Sequence, residues 1–145
     1  MWTRVIFSAF IALATQETRQ NWFGTWRQTN PDSRYKRVTS KIEPWQDGLK
    51  VSYDMVGARG GITHLEWTGK FDGKDYAVQG VDYVLTNAYT LLSDHSYQIV
   101  IKVDGAVAAT ATVEISPDGK KLATVTNQKD ARGKNLTTTA VYDKQ

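Results

Sequence analysis

Between residues 96 and 115 the chain reads SYQIVIKVDGAVAATATVEI. Tyr97, Ile99, Ile101 and Val103 alternate with Gln98, Val100 and Lys102. After Asp104-Gly105, Val107, Ala109, Ala111, Val113 and Ile115 alternate with Ala108, Thr110, Thr112 and Glu114. A period of two belongs to a strand with one face turned toward a core. Asp-Gly between two such runs supplies the left-handed backbone that a tight hairpin demands. The stretch therefore predicts an antiparallel hairpin.

The same punctuation recurs in both directions from it. Asn30-Pro31-Asp32-Ser33, Gln46-Asp47-Gly48, Ala58-Arg59-Gly60-Gly61, Asp72-Gly73, Ser116-Pro117-Asp118-Gly119 and Ala131-Arg132-Gly133 separate runs that alternate, as Val51, Tyr53 and Met55 do with Lys50, Ser52 and Asp54. Turn residues at these intervals predict strands over 22–29, 36–45, 49–57, 62–70, 75–79, 82–90, 96–104, 106–116, 121–129 and 134–143. Helical spacing is not sustained over three turns anywhere in the predicted domain, so at most one helical turn is expected, near Pro31 to Tyr35. An open sheet of so many hairpin-joined strands exposes pairing edges, and closure removes them. The expected fold class is all-β, an antiparallel up-and-down meander closing into a barrel of about 8–10 strands.

The chain has 145 residues, the length of one ordinary domain. Its beginning, Met1-Trp2-Thr3-Arg4, an apolar run from Val5 to Leu13 and an Ala12-Leu13-Ala14 triplet, has the form of a signal peptide over residues 1–14. The run is shorter than the ~20 residues a bilayer span needs. A polar lead-in at 15–21 and one domain at 22–145 follow, and the expected location is secreted or periplasmic. Cysteine is absent, which excludes disulfides, thiolate chemistry and cysteine-held zinc. The net charge is +3, and without the leader's Arg4 there are 17 Lys+Arg against 15 Asp+Glu. So small and scattered an excess gives no argument for nucleic acid or for an anionic membrane surface, and neither a nucleic-acid partner nor stable membrane insertion is expected.

Trp22-Phe23-Gly24-Thr25-Trp26 places a Gly-x-Trp at the entry to the first strand of this meander. In this it resembles the lipocalins and fatty-acid-binding proteins, together the calycins. Phe71-Asp72-Gly73-Lys74-Asp75-Tyr76, Ser116-Pro117-Asp118-Gly119-Lys120 and Ala140-Val141-Tyr142-Asp143 are similar to small exported bacterial proteins of lipocalin-like type. The resemblance implies that Gly24 and Trp26 seal the closed end of the barrel, the indole covering the floor and its N–H reaching a carbonyl. Two departures are plain: the calycin Thr-Asp-Tyr stands here as Val81-Asp82-Tyr83, and the last strand carries no arginine to stack on Trp26.

Nothing in the sequence assembles a catalytic group, and no catalytic residue, metal site or cofactor is expected. His64 shares a strand face with Glu66, away from Leu65 and Trp67, as a solvated residue would; His95 lies beside the Ser93-Asp94 turn. Two separated histidines do not make a metal site. Gly57-Ala58-Arg59-Gly60-Gly61 lacks the Lys-Ser/Thr of a phosphate loop and precedes a strand. Asp72 and Asp75 sit where turns take ionised aspartates.

The aromatic residues are the informative feature. Tyr53, Trp67, Tyr83, Tyr89 and Tyr97 are the candidate ligand-binding residues, falling in or beside the middle strands, with Trp45 and Tyr76 nearby. Rings with polar tips suit a pocket for a hydrophobic or aromatic small molecule, and Thr124, Thr126, Thr137, Thr138 and Thr139 offer one polar side. The binding reading predicts a mouth-accessible cavity of at least ~300 Å³. The alternatives are a packed barrel acting as an envelope interaction protein, which predicts a filled interior and an exposed apolar patch, and a barrel-type isomerase or cyclase, which requires His64 or a carboxylate to point inward.

Overall fold

The computed structural model describes residues 21–145, so the predicted signal peptide and all but the last residue of the lead-in lie outside the described residues. Ten strands follow in order: β1 (Gly24–Gln28), β2 (Tyr35–Trp45), β3 (Gly48–Gly57), β4 (Ile62–Gly69), β5 (Tyr76–Gln79), β6 (Leu85–Ser93), β7 (Ser96–Val103), β8 (Ala106–Ile115), β9 (Lys121–Lys129) and β10 (Asn135–Lys144). Each pairs antiparallel with its neighbours in sequence. β1 also pairs with β10, Trp26 opposite Lys144 and Gln28 opposite Tyr142, so the sheet closes into a barrel with no free edge. This is the closed meander that the calycin resemblance implies.

The alternation that defines the strands also builds the interior. Val51 on β3, Tyr97 and Ile99 on β7, Ala111, Val113 and Ile115 on β8, Leu122 on β9 and Tyr142 on β10 are buried in one core, with Tyr53, Met55 and Ile101 packed against it. The β7–β8 hairpin turns through Asp104 and Gly105, both at positive φ, with Val103 opposite Ala106. A bulge between Ile101 and Lys102 interrupts the register beside Val107. Val107 is 62% exposed, although its parity alone assigns it to the core.

Three expectations are corrected. The sixth strand runs 85–93 instead of 82–90, because Asp104 reaches back to the loop before it: Val84 N–H donates to Asp104 Oδ1 and Asp104 N–H to the Val84 carbonyl. Near Pro31 to Tyr35 there is a turn closed by Tyr35 N–H donating to the Asp32 carbonyl, and no helix is present among the described residues. In the Gln46-Asp47-Gly48 turn the positive φ falls on Gln46. Gly48 is required for another reason: a Cβ there would meet the main chain of Gly69 and Lys70.

The end of the barrel that holds the β2–β3, β4–β5, β6–β7 and β8–β9 turns is filled by rings. Trp22 and Trp26 are fully buried, and the Trp26 indole N–H donates to the Trp22 carbonyl at 2.9 Å. Where the calycin pattern has an arginine, Lys144 of β10 holds its Nζ 5.3 Å from the centre of the Trp26 ring and donates to the Asn21 carbonyl. A cation over an indole face is attracted by the ring quadrupole.

Candidate functional site

Strand parity carries Trp67 (β4), Tyr89 (β6) and Tyr97 (β7) to the inside, where their rings form one column. Trp67 stacks on Tyr89 with centroids 3.9 Å apart, and Tyr89 stacks on Tyr97 at 5.1 Å. Phe71, from the β4–β5 connection, packs against Tyr89 and Tyr97, and Trp22 meets Phe71 and Tyr97 at 5.7 and 5.1 Å. Such ring pairs gain about 0.5–1.5 kcal/mol each beyond burial. The column thereby runs from the floor to mid-barrel.

Above it, enclosed by β3 to β7, lies a cavity of about 140 Å³. Val51, Tyr53, Leu65, Trp67, Val78, Leu85, Asn87, Tyr89 and Ile101 line it. Glu66 contributes to the lining from between Leu65 and Trp67, with its carboxylate engaged by His64 at 3.0 Å. A second interior void, among Trp26, Ser40, Tyr53, Tyr97, Thr124 and Tyr142, measures about 10 Å³. The larger concavities open outward; one of about 500 Å³ is lined by Thr110, Asn127, Lys129 and Thr137 over β8 to β10. The interior is thus tighter than the ~300 Å³ expected of a drug-sized ligand site, because the stacked rings occupy the lower half of the barrel.

Of the sequence-predicted residues, Tyr53, Trp67 and Tyr89 share the 140 Å³ cavity. Tyr97 lies beneath it in the ring column and lines the smaller void. Tyr83 is in the β5–β6 loop and 48% exposed, apart from the others. Tyr76 meets Trp67 edge-on and its hydroxyl donates to Asp72 Oδ2 at 2.6 Å. Thr124 borders the small void, while Thr137, Thr138 and Thr139 are exposed. Asn87, which sequence reading passed over, belongs to the cavity. Its signal was parity: it occupies the inward row Leu85, Asn87, Tyr89, Leu91, in which it alone carries an amide.

The interior is electrically neutral. Burial pushes the Tyr89 and Tyr97 hydroxyls well above the ordinary tyrosine pKa and raises Tyr142 strongly, while Tyr53 is raised by burial against an opposing hydrogen bond with Ser40. Removing a phenolate from water costs more than removing a phenol. These hydroxyls therefore stay protonated across the physiological range.

Ionised groups lie outside. His64 is half exposed and bridges two carboxylates, Nδ1 to Asp54 Oδ1 at 2.6 Å and Nε2 to Glu66 Oε1 at 3.0 Å. The hydrogen bonds to Glu66 and then to Asp54 raise its pKa, and the His64 contact lowers that of Glu66. The folded chain therefore holds the imidazolium better than the unfolded chain. The stability this contributes is complete below the ordinary histidine pKa and disappears as pH rises through the raised one. A nuclear magnetic resonance titration is expected to place the His64 midpoint above that of an unstructured histidine, and Asp54→Asn with Glu66→Gln is expected to return it. An unchanged midpoint in the double variant would break the assignment. His95 stands 3.9 Å from Glu114, also near the surface. No group of three metal-ligating side chains forms among the described residues.

The described residues form an up-and-down β-barrel with a ring-packed floor and a small, mostly apolar cavity in mid-barrel. No protein-family model and no curated protein matches the sequence. Among solved structures, the chain aligns with one described by the words "The Siderocalin Ex-FABP functions through dual ligand specificities", at 14% identity and a TM-score of 0.38, over 86% of this chain and 71% of that one. A likeness so distant says nothing about ligands. No helix among the described residues is long and apolar enough to cross a membrane.

Proposed function

We propose that this is an exported, non-catalytic binding barrel that takes up a small apolar or aromatic molecule in the cavity between β3 and β7. The observation that carries the reading is the cavity itself: about 140 Å³, walled mostly by Val51, Leu65, Trp67, Val78, Leu85, Tyr89 and Ile101, with Tyr53, Glu66 and Asn87 at its polar points. A cavity of ~150 Å³ with such a lining accepts a benzene ring. The ligand class is therefore single-ring molecules, smaller than the lipids or pigments a wide barrel would hold. Tyr53, Trp67 and Tyr89 are assigned as contacts and Tyr97 as the support beneath them, while Gly24 and Trp26 close the floor. Tyr83 has no part in this pocket. The leader-like residues 1–14 support export, and the Glu66 carboxylate, engaged outside by His64, supports binding without chemistry.

Titrating the protein with benzene is expected to give saturable shifts of the Trp67 indole N–H resonance, and Val78→Phe, which fills the space, is expected to abolish them. Shifts that persist unchanged in Val78→Phe, or that never saturate, would refute binding in this cavity.

A second reading, an interaction protein, is favoured by one observation. Ile62, Tyr83, Val84, Val107 and Leu136 are all 41% or more exposed and lie at strand starts or in a loop at the end of the barrel opposite the floor, while Leu92, also exposed, lies at the floor end. It predicts that these residues are covered by a partner and that the interior takes up no ligand.

A further inference from the structure

The outside of the barrel has two unlike halves. Over β2 to β4 the outward side chains pair as ions: Lys41 with Glu43, Lys50 with Glu66, and His64 with Asp54 and Glu66. That is an ordinary solvated face. Over β8 to β10, strand parity turns two cross-strand rows outward, Thr110–Asn127–Thr137 and Thr112–Val125–Thr139. Val100 and Gln98 of β7 continue them. None of these side chains is charged, and all are exposed or half-buried. Depletion of charge is what marks the core of a protein interface against the rest of a surface.

Charge returns only at the ends of this face. At the floor end Glu114 of β8 stands beside Ala123, with His95 3.9 Å away, and below it Lys121 and Asp143 neutralise each other at 2.8 Å. At the mouth end Lys129 of β9 stands opposite Asn135, on the wall of the open hollow of about 500 Å³, and has no acidic partner among the described residues. The Thr137 hydroxyl donates to Asn127 Oδ1 at 2.7 Å, so the middle of the face costs little to order on docking.

We infer that two copies of the chain dock through this face, sheet on sheet, with their strands reversed about a twofold axis at the level of Ala111, Thr126 and Thr138, which are in register with one another. A neutral face meets its own copy without like charges opposite. The axis sets Thr110 over Thr112 of the partner subunit, Asn127 over the partner's Val125 and Thr137 over the partner's Thr139. It also sets Lys129 over the partner's Ala123, next to the partner's Glu114, so the unpaired lysine gains a carboxylate, twice by symmetry. Side chains this small let the two sheets approach to about 10 Å. The patch is about 15–20 Å across, small for an interface, so the association is weak and concentration-dependent.

Sedimentation velocity of the wild-type chain from about 10 μM to about 1 mM is expected to show a monomer passing into a dimer. Lys129→Glu and Glu114→Lys each set like charges together across the axis, and each is expected to weaken the dimer about tenfold, while the double exchange restores it. Thr137→Arg, exposed and central, is expected to abolish it. A wild-type chain that stays monomeric at every concentration overturns the inference. So does a dimer that Thr137→Arg leaves intact, which places the contact on another face. A double exchange that associates no better than its single variants breaks the pairing of Lys129 with Glu114, and the reversed packing with it.

Discussion

Trp26→Ala is expected to lower the stability of the barrel by about 3–5 kcal/mol. Three contributions coincide at this residue. Its ring is fully buried in the floor, its N–H satisfies the Trp22 carbonyl at 2.9 Å, and its face receives Lys144 from the strand that closes the barrel. Truncation therefore opens a cavity, leaves a buried carbonyl unpaired and loosens the seam between β1 and β10. Trp26→Phe keeps most of the bulk and loses the hydrogen bond, so a smaller loss of about 1–2 kcal/mol is expected. Urea unfolding measures both as shifts of the midpoint at constant slope. If the alanine variant matched wild type, Trp26 would not be holding the floor.

Gly48→Ala is expected to cost about 3 kcal/mol or more, through overpacking against atoms that have no rotamer to escape into. The added methyl would run into the Gly69 carbonyl and the Lys70 Cα, where β3 and β4 pass one another at the start of the pair. The matched control is Gly61→Ala: nothing lies within 4 Å of a Cβ there and the backbone is not left-handed, so a change within ~0.5 kcal/mol is expected. The same urea measurement compares them. Equal stability of the two variants would mean that the β3–β4 approach is looser than the structure has it.

The hairpin at residues 96–115 was legible because its inward residues are apolar, its outward ones mostly polar, and its turn is Asp-Gly. Closure was legible from the number of strands. The start of β6 was not, since Val81-Asp82-Tyr83 has the composition of a strand and only the return contact from Asp104 makes it a loop. Val107 was misplaced for the same kind of reason: a bulge is set by two strands together, and one strand's parity cannot reveal it.

The candidate site divides along similar lines. That Tyr53, Trp67, Tyr89 and Tyr97 face inward follows from alternation. How much room they leave does not, because volume depends on rings from β4, β6 and β7 stacking across the barrel. Tyr83 has the right composition but lies in a loop. Asn87 stands as an amide in an inward, otherwise apolar row, and its place beside the cavity follows from the volume the rings leave.

Trp26 and Lys144 face each other across the closing pair of strands, and Lys144 also reaches Asn21. The most distant parts of the described chain therefore meet at the point where the barrel is sealed. A contact of such sequence separation must meet its loop entropy before it yields stabilisation. The pairing of β1 with β10 is therefore expected late in folding. Until it forms, the curled sheet has two raw edges at once, and the same step that completes the wall also removes the surfaces through which two half-folded chains would join.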